Sequence, residues 1–291
     1  MKIETTFFNS LRHGAWGASL AVLGLVMLPG RGTAQIVSMN NSGSTATVNL
    51  GSSAGMNYWS VNGPTGQNQL DQQWFWYSVN GGPSQSIDTI ANQPGGSLTY
   101  NLSPDQGTLN ALYKDSTLSV GITYTLQGSG VGSDSADLQE SINILNNSAT
   151  GFNVNFYQYS NFNLLQNNQN MINVFGSPGA YSTIVQTTMV GGNGIEETID
   201  QPLANYAEAG LAGSVLSDVT AGNTLNGTVA AGPGNVAWAF EWTESVGAGA
   251  NVDIYKDKNL SIQPVPEPSS IALISFGLAA CGLVRRRRSS Y

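Results

Sequence analysis

The chain is short of the side chains on which most enzymes rely. Among its 291 residues there is one histidine, His13, and one cysteine, Cys281. Between positions 35 and 264 both are absent, and so is arginine. That segment has no means of building a Ser-His-Asp or Cys-His nucleophile, a His-ligated zinc site or a thiolate cluster. It cannot close an internal disulfide either. No phosphate loop or dinucleotide fingerprint is present. Charge is scarce too: Asp, Glu, Lys and Arg make up 10% of the chain. Within residues 35–264 only Lys114, Lys256 and Lys258 stand against sixteen carboxylates. Without a basic footprint to neutralise phosphates, nucleic acid and anionic lipid are excluded as partners. The expectation from these absences is a protein that is not an enzyme.

What the segment does have is Gly, Asn, Ser and Thr around short alternating apolar runs. Leu118, Val120, Ile122, Tyr124 and Leu126 share one parity, and Val236, Trp238, Phe240 and Trp242 share another. Period two is the mark of half-buried strands, and no stretch shows a helical period. Asn-Gly and Pro-Gly pairs separate the runs as turns. Residues 146–151, between runs at 138–145 and 152–159, predict a β-hairpin. The fold expected is all-β: an antiparallel β-sandwich of jelly-roll or lectin-like type over residues 35–260, with a barrel as runner-up.

Three groups of residues are candidates for chemistry. Trp74, Phe75, Trp76 and Tyr77 follow one another, so an exposed strand would turn some rings outward. Trp74, Trp76 and Tyr77 are the candidate glycan-facing aromatics, because a sugar's C–H face packs on a ring; a strand covered on both faces is the alternative. Asp134 and Asp137, in a Ser/Gly-rich loop, are a candidate calcium site, since hard cations take oxygen ligands. No other cofactor is expected. Carboxylate-only glycoside hydrolysis needs two acids about 5–10 Å apart. Glu241 with Glu244, Asp134 with Asp137 and Glu140, and Glu196 with Glu197 and Asp200 are the sets to consider. Glu241 reads as a surface acid opposite Trp238 and Trp242.

The two ends differ from the middle. Residues 1–34 read as a secretory signal peptide. Lys2, Arg12 and His13 precede an apolar stretch, and Gly32-Thr33-Ala34 suits signal peptidase, with cleavage after Ala34. Residues 261–291 are a linker followed by Val265, Pro266, Glu267 and Pro268, an apolar helix over 269–284 and a basic end at Arg285, Arg286, Arg287 and Arg288. The prolines stop any sheet ladder. The arginines would hold the helix end on the cytoplasmic side. This three-part tail resembles the PEP-CTERM sorting signal of Gram-negative bacteria. The resemblance implies handling by exosortase, a transient inner-membrane stage through the C-terminal helix, and delivery to the cell surface or extracellular matrix, often beside exopolysaccharide. It implies nothing about the activity of residues 35–264. The expected function is a non-catalytic surface or matrix protein associated with polysaccharide, with a lectin-like carbohydrate-binding module as the alternative.

Overall fold

The computed structural model describes residues 35–62, 66–189 and 194–262. Residues 1–34, expected to be a signal peptide, and the sorting motif from residue 264 onward therefore lie outside the described residues. In chain order the first strands are β1 (Ile36–Asn41), β2 (Ser44–Asn49), β3 (Gly55–Ser60), β4 (Leu70–Val79), β5 (Gln85–Ser86), β6 (Ser97–Leu102) and β7 (Thr108–Lys114). The long central strands are β8 (Leu118–Gly128), β9 (Ser135–Asn146) and β10 (Phe152–Phe162). They are followed by β11 (Asn170–Ser177), β12 (Ala180–Thr188), β13 (Gly194–Gln201) and β14 (Tyr206–Leu211). Helix α1 (Ala212–Ala221) comes next, then β15 (Ala230–Gly234), β16 (Val236–Val246) and β17 (Asn251–Ser261).

Two sheets face each other, as the alternation predicts. One runs β1-β2-β3-β4-β10-β16-β14, with β5 beside β4; the other runs β15-β11-β12-β13-β17-β9-β8-β7-β6. Pairing is antiparallel apart from a short parallel contact between β3 and β4. The five apolar residues of β8 from Leu118 to Leu126 are all buried. Rings fill the space between the sheets: Phe75 stacks on Phe156 at 5.6 Å, and Phe162 on Trp238 at 5.4 Å.

Two expectations are corrected. Residues 146–151 do not close a hairpin. β9 pairs with β8 and β17 in the nine-stranded sheet, whereas β10 pairs with β4 and β16 in the other. The link crosses between layers and is held there by Asn146, which donates to the carbonyls of Thr150 at 2.8 Å and Val246 at 3.0 Å. A turn-rich link between two strong strands looks the same whether it joins neighbours or changes sheet. The second correction is α1, which sequence periodicity did not reveal. Its buried residues are only Ala212, Val215 and Val219, too few to show a period; Gly222 ends it in the left-handed region at φ 72°. That helix covers the outside of the eight-stranded sheet. Tyr159 donates to the Ala212 carbonyl at 3.1 Å, Tyr157 to the Gly222 carbonyl at 3.3 Å and Ser84 to the Val219 carbonyl at 2.8 Å.

Candidate functional site

The segment 85–92, which lies against β4, decides the fate of the aromatic run. Trp74 is 0% exposed, Trp76 4% and Tyr77 8%, so none offers a ring face to a glycan. Trp76 meets Tyr159 edge-on at 6.3 Å, and the Trp74 indole donates to Ser86 Oγ at 2.8 Å. β4 is a central strand covered on both faces, and its four consecutive rings are core.

The acids are scattered. Asp134 sits at φ 58° in the turn before β9 and its carboxylate accepts from the Asn62 amide; Asp137 accepts from Asn259 Nδ2 at 2.6 Å. Among the described residues no group of three or more His, Cys, Asp or Glu side chains is placed to hold a metal. Glu241 is not a surface acid. It is buried, and it accepts the Leu225 N–H at 3.0 Å from the loop that follows α1. Glu196 and Glu197 part company: Glu196 faces outward on β13 and Glu197 is 0% exposed.

Glu197 belongs to a charged cluster inside the sandwich. β17 turns Ile254, Lys256, Lys258 and Leu260 inward, all buried. Opposite Lys256 across the ladder lies Glu140 of β9, and opposite Lys258 lies Glu197 of β13. All four charged side chains are 0% exposed. Lys258 Nζ lies 2.9 Å from Glu140 and 3.1 Å from Glu197; Lys256 Nζ lies 3.1 Å from Glu197 and in direct contact with Glu140 Oε2. The facing sheet supplies neutral donors. Gln73 donates to Glu140 at 2.6 Å, while Gln158 at 2.7 Å and the Trp238 indole at 2.8 Å donate to Glu197. Two cations and two anions cancel, which is the condition for burying charge at all.

The ionisation of each group follows from that geometry. Burial would raise the Glu197 carboxyl, but Lys258, Lys256 and the two N–H donors outweigh it and hold it at about 2. Burial likewise works against Glu140, and Lys256 and Lys258 override it and keep the carboxyl below its ordinary range. Burial wins at Lys256, which is pulled down to about 8 against the attraction of Glu140. At Lys258 the two carboxylates overcome burial and raise the ammonium's pKa. The cluster was missed in the sequence, although a signal was present. Lys256 and Lys258 share the parity of Ile254 and Leu260, Glu140 that of Leu138 and Ile142, and Glu197 that of Ile195 and Ile199.

The outer face of the same sheet is open and polar. A depression of about 460 Å³ lies over β8, β9, β13 and β17. Its side chains stand in cross-strand rows: Thr198, Asp257, Gln139 and Thr125 are successive partners in one. Tyr255, Ser141 and Thr123 are successive partners in the next. Tyr255 is 39% exposed, its ring standing among hydroxyl, amide and carboxylate groups. A second depression of about 290 Å³ adjoins it, sharing Thr123 and Ser141 and reaching Leu112 and Tyr100. Burial, with Asp137 and Asp200 nearby, raises the Asp257 carboxyl above the usual range.

The comparisons with known proteins bear on the two parts of the chain separately. The PEP-CTERM protein-sorting motif matches residues 264–288. The chain thus carries the address of an exported protein processed by exosortase and sorted to the cell surface. No curated protein matches the chain. Among solved structures it is similar to a bacterial glucoamylase complexed with acarbose, at 12% identity and a TM-score of 0.54. That likeness covers 86% of this chain and 36% of the glucoamylase, so this chain spans about a third of that protein. It is also similar to a galactose mutarotase related enzyme from Lactobacillus acidophilus, at 8% identity and a TM-score of 0.53, over 78% of this chain and 98% of that one. At such identities the likeness is one of fold. It overturns the expectation that the protein is not an enzyme: the same sandwich occurs in enzymes, and missing histidine and cysteine do not remove carboxylate chemistry.

Proposed function

We propose that the exported domain engages saccharide across the outer face of its nine-stranded sheet, at the depression framed by Tyr255, Asp257 and Gln139. The observation that carries this reading is the pair of polar cross-strand rows with one exposed ring among them. Sugars present hydroxyls that carboxylates and amides bind in pairs, and an apolar C–H face that packs on an aromatic ring. The adjoining depression lengthens the surface towards Leu112, which suits a chain of sugar units better than a single one. The similar structures, a glucoamylase with acarbose and a galactose mutarotase related enzyme, support a sugar ligand. In this reading the signal peptide at 1–34 directs export. The apolar segment 269–284, followed by Arg285 to Arg288, holds the protein in the inner membrane until exosortase acts near Pro266-Glu267-Pro268. The domain then works beside surface polysaccharide.

A second reading rests on Asp257. Asp257, whose carboxyl burial raises above its usual range, lines this depression together with Asp200, the arrangement of a general acid with a neighbouring carboxylate. One set of measurements separates the two. Polysaccharide pull-down and glycan-array binding by the exported protein should show retention, weakened about tenfold or more, roughly 1.4 kcal/mol, by Tyr255→Ala. Reducing-end release from the retained glycan, abolished by Asp257→Asn with binding kept, would establish the second. Absence of binding to any glycan would refute both.

A further inference from the structure

We propose that Lys256 and Glu140 condense to an intramolecular isopeptide bond that ties β17 to β9 inside the sandwich. The two residues are direct cross-strand partners, both 0% exposed, with Lys256 Nζ in contact with Glu140 Oε2. No other strand lies between them, so the amine and carboxyl meet without any movement of the backbone. Glu197 Oε1 lies 3.1 Å from both lysine nitrogens, placed to carry a proton. The Phe75 ring, with its centroid 5.1 Å from Lys256 Nζ, helps keep water from the site.

The reaction is a condensation and needs no other reactant. The ammonium gives a proton to the carboxylate of its own pair, leaving a neutral amine and a carboxylic acid in contact. Burial favours that exchange, because it removes two charges from an apolar interior. It has already drawn the Lys256 amine down to about 8. Nζ attacks Cδ of Glu140, the Nζ–Cδ bond forms and the Cδ–Oε2 bond breaks. Glu197 takes the proton that nitrogen sheds and passes it to the departing oxygen, which leaves as water. Glu197 then returns to the carboxylate that faces Lys258. The product is charge-balanced, as the starting cluster was: Lys258 and Glu197, partners across β17 and β13, remain as a one-to-one ion pair. Glu197 is unsuited to be the acyl group, because Gln158 and Trp238 already fasten its oxygens.

The position of the bond explains its use. β17 is the last described strand and ends at Ser261, three residues before the sorting motif begins at 264. Force on a C-terminally held protein therefore enters the domain through β17. Residues 35–264 have no cysteine with which to brace that strand outside the cell. An amide between β17 and β9 braces it covalently.

Denaturing intact-mass spectrometry of the exported protein, with peptide mapping of both mature termini, tests the bond without any variant having to fold. The expected result is a mass one water below that of the mapped sequence, and a branched peptide joining the segment of Glu140 to that of Lys256. Lys256→Arg, which keeps the charge, should restore the lost water. A wild-type mass equal to the unmodified sequence would overturn the proposal, and so would a water loss mapped to any other pair.

Discussion

Replacing Glu197 with glutamine removes one of two buried negative charges and leaves both lysines in place. Glutamine cannot carry the proton that amide formation needs, so Lys256 and Glu140 stay an ion pair in this variant, and one ammonium then lacks a carboxylate of its own. Lys258 is the more exposed to this loss, because Glu197 is its cross-strand partner at 3.1 Å. Water cannot compensate at groups that are 0% exposed. The glutamine amide also points donors at Gln158 or a lysine, where the carboxylate accepted from them. Breaking a buried pair from one side costs about 3–5 kcal/mol. That is a large share of a total near 5–15 kcal/mol, and it corresponds to a fall of about 1–2 M in the urea midpoint.

The assay is urea unfolding of wild type, Glu197→Gln, and the double variant Glu197→Gln with Lys258→Met, all at pH 7. The double variant removes both charges and should recover most of the electrostatic part of the loss. The pH dependence has a defined sign. Glu197 is held at about 2 in the fold against an ordinary 4.5, so its contribution is fully present above pH 4.5 and fades as the pH falls towards 2. The gap between wild type and Glu197→Gln should therefore narrow only below pH 4.5. A loss under about 1 kcal/mol at pH 7, the size of an exposed pair, would show that the cluster is solvated and the reasoning wrong.

Phe162 is 0% exposed, stacked on Trp238 at 5.4 Å and meeting Trp59 edge-on at 6.0 Å. Phe162→Ala should cost about 3–5 kcal/mol in denaturant unfolding, and a loss below about 1 kcal/mol would mean the rings repack freely. Glu241 behaves in the opposite sense to Glu197. Burial raises its carboxyl, and the Leu225 N–H offsets this only in part. Its favourable contribution is present below the ordinary carboxylate range and is lost as pH rises through the raised value. Glu241→Gln, which can still accept the Leu225 N–H, should raise the melting temperature at pH 7 and leave it unchanged in acid; destabilisation at pH 7 would contradict this.

Much of the sandwich was legible because a strand writes its two faces into the sequence as alternation. Leu118 to Leu126 and Val236 to Trp242 name their own inner faces, and the tail names its destination through residues that act as a linear signal. Sheet membership was not legible. β9 and β10 are joined by five residues rich in turn formers, and only the partners gathered from distant segments place them in different layers. Likewise Trp74, Trp76 and Tyr77 could be placed inside or outside only once the segment 85–92 and the facing sheet were known to cover β4.

The sequence by itself determined the composition of the protein's chemistry: three lysines, sixteen carboxylates, no histidine, cysteine or arginine between residues 35 and 264, and a C-terminal address. The tertiary structure decided which of those charges meet. Residues 140, 197, 256 and 258 are separated by up to 118 positions, and their signs pair only when β17 slots between β9 and β13. Local pattern reports what a residue shares with its chain neighbours. A buried charge is tolerable only through partners that the fold brings from far away.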